Sequence, residues 1–286
     1  MGSRIKAFAV HLLISAGVAG VVFACIYWVW YPPPYFELAK GRELLWLVIG
    51  CDLVLGPLLT LAVFNLKKPR SELRRDLAII GLLQCVGLGY GAHTMYIARP
   101  AYVVYNVGQF NVVQAASIDA SAYAEAPESI PIDPKTGPAV IGAVLPDDRE
   151  ARNQLLFDAA AGGADVYQIP KYFVPYERVR SDVAKRALTA AAYVARHGGD
   201  QAFLQALIDE FAGRSQSVRL LPVVTPGKLG VAIIAEPDGA LLAVRVDTPS
   251  NAQLAASRAS ESAKPPAAEP ASSAPANPAA SAPVKR

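Results

Sequence analysis

Charged side chains are nearly absent from three long stretches at the start of the chain and scattered evenly after them. Ala7–Tyr31 has no Asp, Glu, Lys or Arg, Leu44–Leu66 has only Asp52, and Leu77–Ala98 has none. Each stretch exceeds the roughly 20 apolar residues that carry a helix across the ~30 Å hydrocarbon core of a bilayer. The pattern therefore predicts three membrane-spanning helices, over about 7–31, 44–66 and 77–98. Tyr27, Trp28, Trp30 and Tyr31 gather at the far end of the first stretch, where amphipathic rings settle at headgroup level. That stretch is about twice as long as the apolar part of a signal peptide, and no small-x-small site precedes Pro32. It is read as a retained helix.

Beyond Arg99 the pattern changes to that of a water-soluble domain. Arg99-Pro100 ends the third helix, because the residue before proline is pushed out of the α region. The β-branched and aromatic run up to Val113 predicts two short strands bent near Gly108, and Ser117–Asp148, rich in Ala, Pro and Asp, reads mostly as loop. Asp147 or Asp148 caps a helix running to about Ala161, and further helices are predicted over Tyr176–Arg196 and Asp200–Ala212. Strands follow at Val218–Val224, Gly230–Ala235 and Ala240–Val246, the last two joined by a Glu-Pro-Asp-Gly turn. From Asn251 the chain is Ala, Pro and Ser with almost no large apolar residue, the composition of a disordered tail. The expected organisation is a membrane α-helical region over 1–98, an α+β domain over 99–250 with a small antiparallel sheet and about three helices, and a tail over 251–286.

Basic residues set the expected orientation. Arg4 and Lys6 precede the first helix, and Lys67, Lys68, Arg70, Arg74 and Arg75 crowd the loop between the second and third. The positive-inside bias puts the N-terminus and that loop in the cytoplasm and everything after Arg99 on the outer, periplasmic side. The net charge of +3 is too small and dispersed to argue for nucleic acid. Cys25, Cys51 and Cys85 all lie in the apolar stretches, where they are read as small hydrophobes between helices. The outer domain has no cysteine and a single histidine, so neither a disulfide nor a zinc site is expected there.

Asp52 is the one acidic group within a span, and such residues either lock a bundle or serve a partner or ion. Eight residues in from Leu44, it lies roughly 12 Å deep. Tyr90 reaches the same depth on the third span, with His93 one turn nearer the surface. Gly56-Pro57 follows Asp52, and Pro57 leaves the Leu53 carbonyl without its helical donor, which predicts a kink beside the acid. His11 and Gln84 are expected to hydrogen-bond between helices, and His197 to cap a helix C-terminus from the surface. Outside the spans, Tyr172, Phe173 and Tyr176 make the aromatic stretch best suited to an interface, with core packing expected for at least half of that stretch. No G-x-S-x-G, P-loop or H-E-x-x-H motif is present, and no catalytic activity or cofactor is expected.

The ordered set Arg4-Ile-Lys6-Ala-Phe-Ala-Val-His11, Trp28-Val-Trp30-Tyr31-Pro32, Asp52-Leu-Val-Leu-Gly56-Pro57-Leu-Leu-Thr60, Phe64-Asn65-Leu-Lys67-Lys68, Arg74-Arg75-Asp76, Arg99-Pro100 and Leu221-Pro222-Val223 resembles the TfpX/TfpZ family of type IV pilin accessory proteins. The resemblance covers the spans almost continuously and the outer domain in patches. It implies a bacterial inner-membrane protein that assists the type IV major pilin subunit, alongside other pilus-assembly proteins, in a chaperone-like role. Sites at Asp52, Gly56, Pro57, Tyr90, His93, Tyr172, Phe173 and Tyr176 are the candidate partner contacts, and the lipid bilayer is the other partner. An envelope sensor is the alternative in a second class and a membrane enzyme acting on pilin or lipid the alternative in a third.

Overall fold

The computed structural model describes residues 2–247 except 66, 213–216 and 226–227, and does not describe the side chains of Ser3, Leu47, Cys51 and Asp52. The tail expected from Asn251 lies outside the described residues.

Three long helices form as the charge pattern predicts. α1 (Gly2–Cys25) continues through a π-helical turn at Ile26–Trp30, α3 (Gly41–Val63) runs through Pro57, and α4 is Arg70–Ile97. Each is long and apolar enough to cross a membrane. α3 packs against both α1 and α4. Leu13, Val21, Leu82 and Val86 point outward from the bundle, a surface suited to hydrocarbon because all helical backbone bonds are satisfied internally. Cys25 and Cys85 are also exposed on the bundle surface, so they do not fill helix interfaces as expected.

Between α1 and α3 lies the short helix α2 (Tyr35–Leu38), after which Lys40, in the left-handed region at φ 57°, turns the chain into α3. Leu38 is 0% exposed and belongs to the core of the domain that follows Arg99, named the outer domain for its expected side. Its carbonyl accepts from Thr225 Oγ1 at 2.9 Å, and neighbouring Glu37 pairs with Lys228 Nζ at 2.9 Å. That ammonium holds the Glu37 carboxyl below the usual glutamate range, while burial pushes the Tyr35 hydroxyl up to about 12.

The outer domain is α+β, built on one seven-stranded sheet with strands β1 (Pro100–Asn106), β2 (Gln109–Gln114), β3 (Ala139–Ala143), β4 (Phe173–Pro175), β5 (Val218–Val224), β6 (Leu229–Ala235) and β7 (Leu241–Val246) in the order β4-β3-β1-β2-β5-β6-β7. The sheet is mixed rather than antiparallel, because β1 pairs parallel with β3 and β2 parallel with β5. β3 lies within the stretch read as loop, and its five residues are fixed by the β1 partner rather than by their own composition.

Both faces of the sheet are buried, which alternation along the strands makes possible. On one face Val103, Tyr105, Phe110 and Leu221 pack under α6 (Tyr176–Arg186) and Leu38. On the other, Tyr102, Val104 and Ile141 meet α5 (Arg149–Ala160), while Leu220 and Ile233 meet α7 (Ala190–His197) and α8 (Gln201–Ala212). Asp148 caps α5 by accepting from Ala151 N–H at 2.7 Å.

The helix predicted over 176–196 is two helices. Leu188 leaves the helical path to exchange both backbone bonds with Leu220 at 2.8 Å, and Thr189 caps the restart. His197, expected at the surface, is half-buried beside the Tyr193 ring, and that burial lowers its pKa.

Candidate functional site

A polar network ties the three long helices together inside their apolar bundle. His11 Nε2–H donates to Gln84 Oε1 at 2.7 Å, Gln84 Nε2 donates to Ser15 Oγ at 3.2 Å, and His11 Nδ1 lies 2.5 Å from Thr60 Oγ1. A neutral imidazole with its proton on Nε2 satisfies the set, the Thr60 hydroxyl donating to Nδ1. The interhelical bonding expected of His11 and Gln84 is therefore present.

Gly56 makes that network sterically feasible. A Cβ at this position would meet Gln84 Nε2 at 2.0 Å and Cδ at 2.3 Å, so the Gln84 side chain crosses α3 where a side chain is missing. One end of the bundle uses the same device, since a Cβ on Gly91 would meet Val48 Cγ1 at 2.6 Å. Pro57 is buried beside Gly56.

Between α3 and α4 the bundle leaves an open groove of about 580 Å³. Leu44, Val48, Leu55 and Leu59 form one wall and Leu83, Leu88, Tyr90 and Met95 the other, with Gly56 and Gly87 on its floor and Gln84 and Thr94 as its polar groups. Thr94 Oγ1 is already committed to the Tyr90 carbonyl at 2.9 Å. The groove is chemically neutral and matches apolar chains, whether aliphatic side chains or hydrocarbon.

Of the eight sequence-predicted site residues, the structure brings Gly56 and Tyr90 together on this groove. Tyr90 stands on the rim, 75% exposed. His93 is exposed on α4 and does not line the groove. Asp52 lies on α3, with its side chain outside the described residues.

The aromatic stretch of the outer domain does not form one surface. Phe173 is 0% exposed, a core residue of β4 stacked near Tyr102, because strand alternation turns it into the sheet. Tyr172 is half-buried on that same core, with Lys171 Nζ 5.1 Å from its ring centroid. Tyr176 packs on the opposite core and donates to the Gly239 carbonyl at 2.8 Å, and burial raises its pKa. Among the described residues no group of three or more His, Cys, Asp or Glu side chains is placed to hold a metal ion.

Two features escaped the sequence. One is the insertion of Leu38 into the outer core. The other is Arg99, which the sequence marks only as the helix end before Pro100 but which is 2% exposed, paired with Asp133 and donating to the carbonyls of Tyr96 at 2.6 Å and Pro134 at 3.2 Å. Arg-Pro at a helix end is a visible signal, but Asp133 as its partner is not.

A family model described as fimbrial assembly protein FimB matches residues 1–40. A fimbrial assembly protein of serogroups C1 and C2 from Dichelobacter nodosus is 33% identical over 113 residues, 40% of this chain and 86% of that protein. The chain belongs to the FimB family of fimbrial assembly proteins. A serogroup I fimbrial assembly protein from the same organism is 29% identical over 185 residues, 64% of this chain and 70% of the relative. No solved structure matches. The FimB match takes in α1 and α2, hence His11 and Ser15 of the polar network and Leu38 in the outer core. FimB membership agrees with the fimbrial side of the resemblance drawn from the sequence, while these relatives do not carry the narrower TfpX/TfpZ name.

Proposed function

We propose that this protein acts in fimbrial assembly as a non-catalytic inner-membrane holding partner for the type IV pilin subunit. The observation that carries this reading is the open apolar groove between α3 and α4 on a chain of the fimbrial assembly family. A subunit waiting in the membrane has an apolar helix that needs a mate, and the groove leaves Gly87 uncovered on its floor, where a foreign helix can approach closely. The outer domain then stands beside the subunit's head. Helix association of this kind relies on packing against small residues rather than on a hydrophobic drive.

The expected orientation has the N-terminus in the cytoplasm and the α+β domain in the periplasm. Basic residues at Lys67, Lys68, Arg70, Arg74 and Arg75 support it. The packing of the α1–α3 connection onto the α+β domain fits three crossings, since both then lie on one side.

Co-purification of the detergent-solubilised protein with its cognate subunit tests the proposal. Removal of the gene should lower subunit level or surface fimbriation. If neither changes and no subunit co-purifies, the holding role is wrong.

A further inference from the structure

One segment of the outer domain, Pro131–Thr136, is fastened to the ends of two long helices at once. The Arg99 guanidinium, following α4, pairs with Asp133 and donates to the Pro134 carbonyl. It also stacks 4.0 Å from the centroid of the Tyr96 ring, which meets the Trp30 ring edge-on at 5.2 Å. Just past the segment, Gly137 N–H donates to the carbonyl of Val29, in the π-helical turn that ends the first apolar helix, at 2.9 Å. Tyr102 Oη donates to the Pro131 carbonyl at 2.6 Å and accepts from Asp133 N–H at 3.1 Å, holding the segment from the domain side. These bonds set it level with Val29, Trp30 and Tyr96, the aromatic end of the bundle.

The segment's own side chains divide by polarity at that level. Its acid, Asp133, turns inward to Arg99, while Ile132 is 63% exposed and Lys135 is exposed and makes no ion pair among the described residues. A lone exposed isoleucine is unremarkable on a soluble face. Beside two apolar helix ends, an outward isoleucine and lysine with the acid removed is the arrangement that suits a lipid interface. The aliphatic chain reaches the acyl boundary and the ammonium meets phosphate.

We propose that Pro131–Thr136 is a membrane-contact loop whose partner is the phospholipid surface of the leaflet facing the outer domain. Ile132 enters the interface and Lys135 binds headgroup phosphate, so the loop fixes how the outer domain stands on the bilayer. The proposal rests on the three long helices crossing the membrane, and its test reads that premise separately.

The full chain, with Cys25, Cys51 and Cys85 changed to Ala, is given a single cysteine by Ile132→Cys, labelled with an environment-sensitive nitrobenzoxadiazole dye. It is reconstituted in vesicles of about three parts phosphatidylethanolamine to one of phosphatidylglycerol, with a lipid spin-labelled near the headgroup as quencher. Leu13→Cys, on the outer face of α1, reports the span, and Val107→Cys, at the far tip of the β1–β2 hairpin, reports the water-exposed end. β1 runs from Pro100 to Asn106, which puts Val107 roughly 20 Å from the helix end at ~3.3 Å per residue. The expected result is quenching at 132 at least about twofold greater than at 107, with a blue-shifted emission, because only the former lies within contact range of the lipid. Lys135→Gln should reduce the difference between vesicles with phosphatidylglycerol and vesicles with phosphatidylcholine in its place. Quenching at 132 no greater than at 107, while 13 is strongly quenched, overturns the loop contact and leaves the spans standing. Absence of quenching at 13 as well overturns both.

Discussion

His11 on α1 and Gln84 on α4 are joined ring nitrogen to amide oxygen at 2.7 Å, and the bond passes over α3 at Gly56. His11→Ala and Gln84→Ala should each destabilise the bundle by about 0.6–2 kcal/mol, the range for hydrogen bonds between membrane helices. Thermal unfolding in detergent measures it. In the double variant the losses should be clearly less than additive, because both remove one bond.

Gly56→Ala should cost about as much as Gln84→Ala, since the new Cβ would occupy the Gln84 Nε2 position and push that side chain off His11. In a Gln84→Ala background the Gly56→Ala penalty should vanish. A full penalty there would mean that Gly56 serves the backbone and not the network.

Gly87→Leu probes the groove instead. Nothing lies within 4 Å of a Cβ at Gly87, so the leucine enters open space and leaves the protein's melting temperature unchanged. Recovery of the pilin subunit in co-purification should fall. Unchanged recovery would show that the groove is not where the subunit helix packs.

Asp133→Ala leaves the Arg99 guanidinium buried without its carboxylate. Removing one partner of a buried pair costs about 3–5 kcal/mol, and Asp133 is itself partly exposed, so about 3 kcal/mol is expected. Arg99→Met, which removes the charge and keeps the stem, should cost less. Comparison of their melting temperatures orders the two.

Acid should release the α2 segment. Lys228 holds Glu37 below the usual glutamate range, so the pair stabilises the folded state at any pH above the ordinary value near ~4.3. That contribution is lost as pH falls through the lowered folded value. Hydrogen-exchange protection at residues 35–39, taken relative to the intrinsic amide rate at each pH, should fall in acid in the wild type. Glu37→Gln should already exchange fast at neutral pH and show less further change.

The bundle was legible because three long apolar stretches, with Asp52 their one charged residue, admit only one solution in lipid, and His11 and Gln84 stood out as polar groups that need partners there. Strands β1 and β2 and the β6–β7 hairpin announce themselves locally through β-branched runs and turn residues. β3 did not, since Ala139–Ala143 is defined by its parallel neighbour far back in the chain. Nor did the break at Leu188, which follows from a bridge to Leu220. Of the candidate site, Tyr90 was reached by counting depth from Asp52 and Gly56 was noted for the proline beside it, whereas the burial of Phe173 needed the strand register.

The position of Leu38 sets an order of events during synthesis. It sits between the first two long helices, yet the core that receives it includes Leu221, Ala232 and Ile234. At about 5–20 residues per second the ribosome needs roughly 10–40 s to travel from one to the other. For that interval the α1–α3 connection waits without the strands that cover its apolar side chain. A truncated chain ending before β5 never closes it, and an outer domain expressed without residues 31–40 is left with a hole where Leu38 belongs.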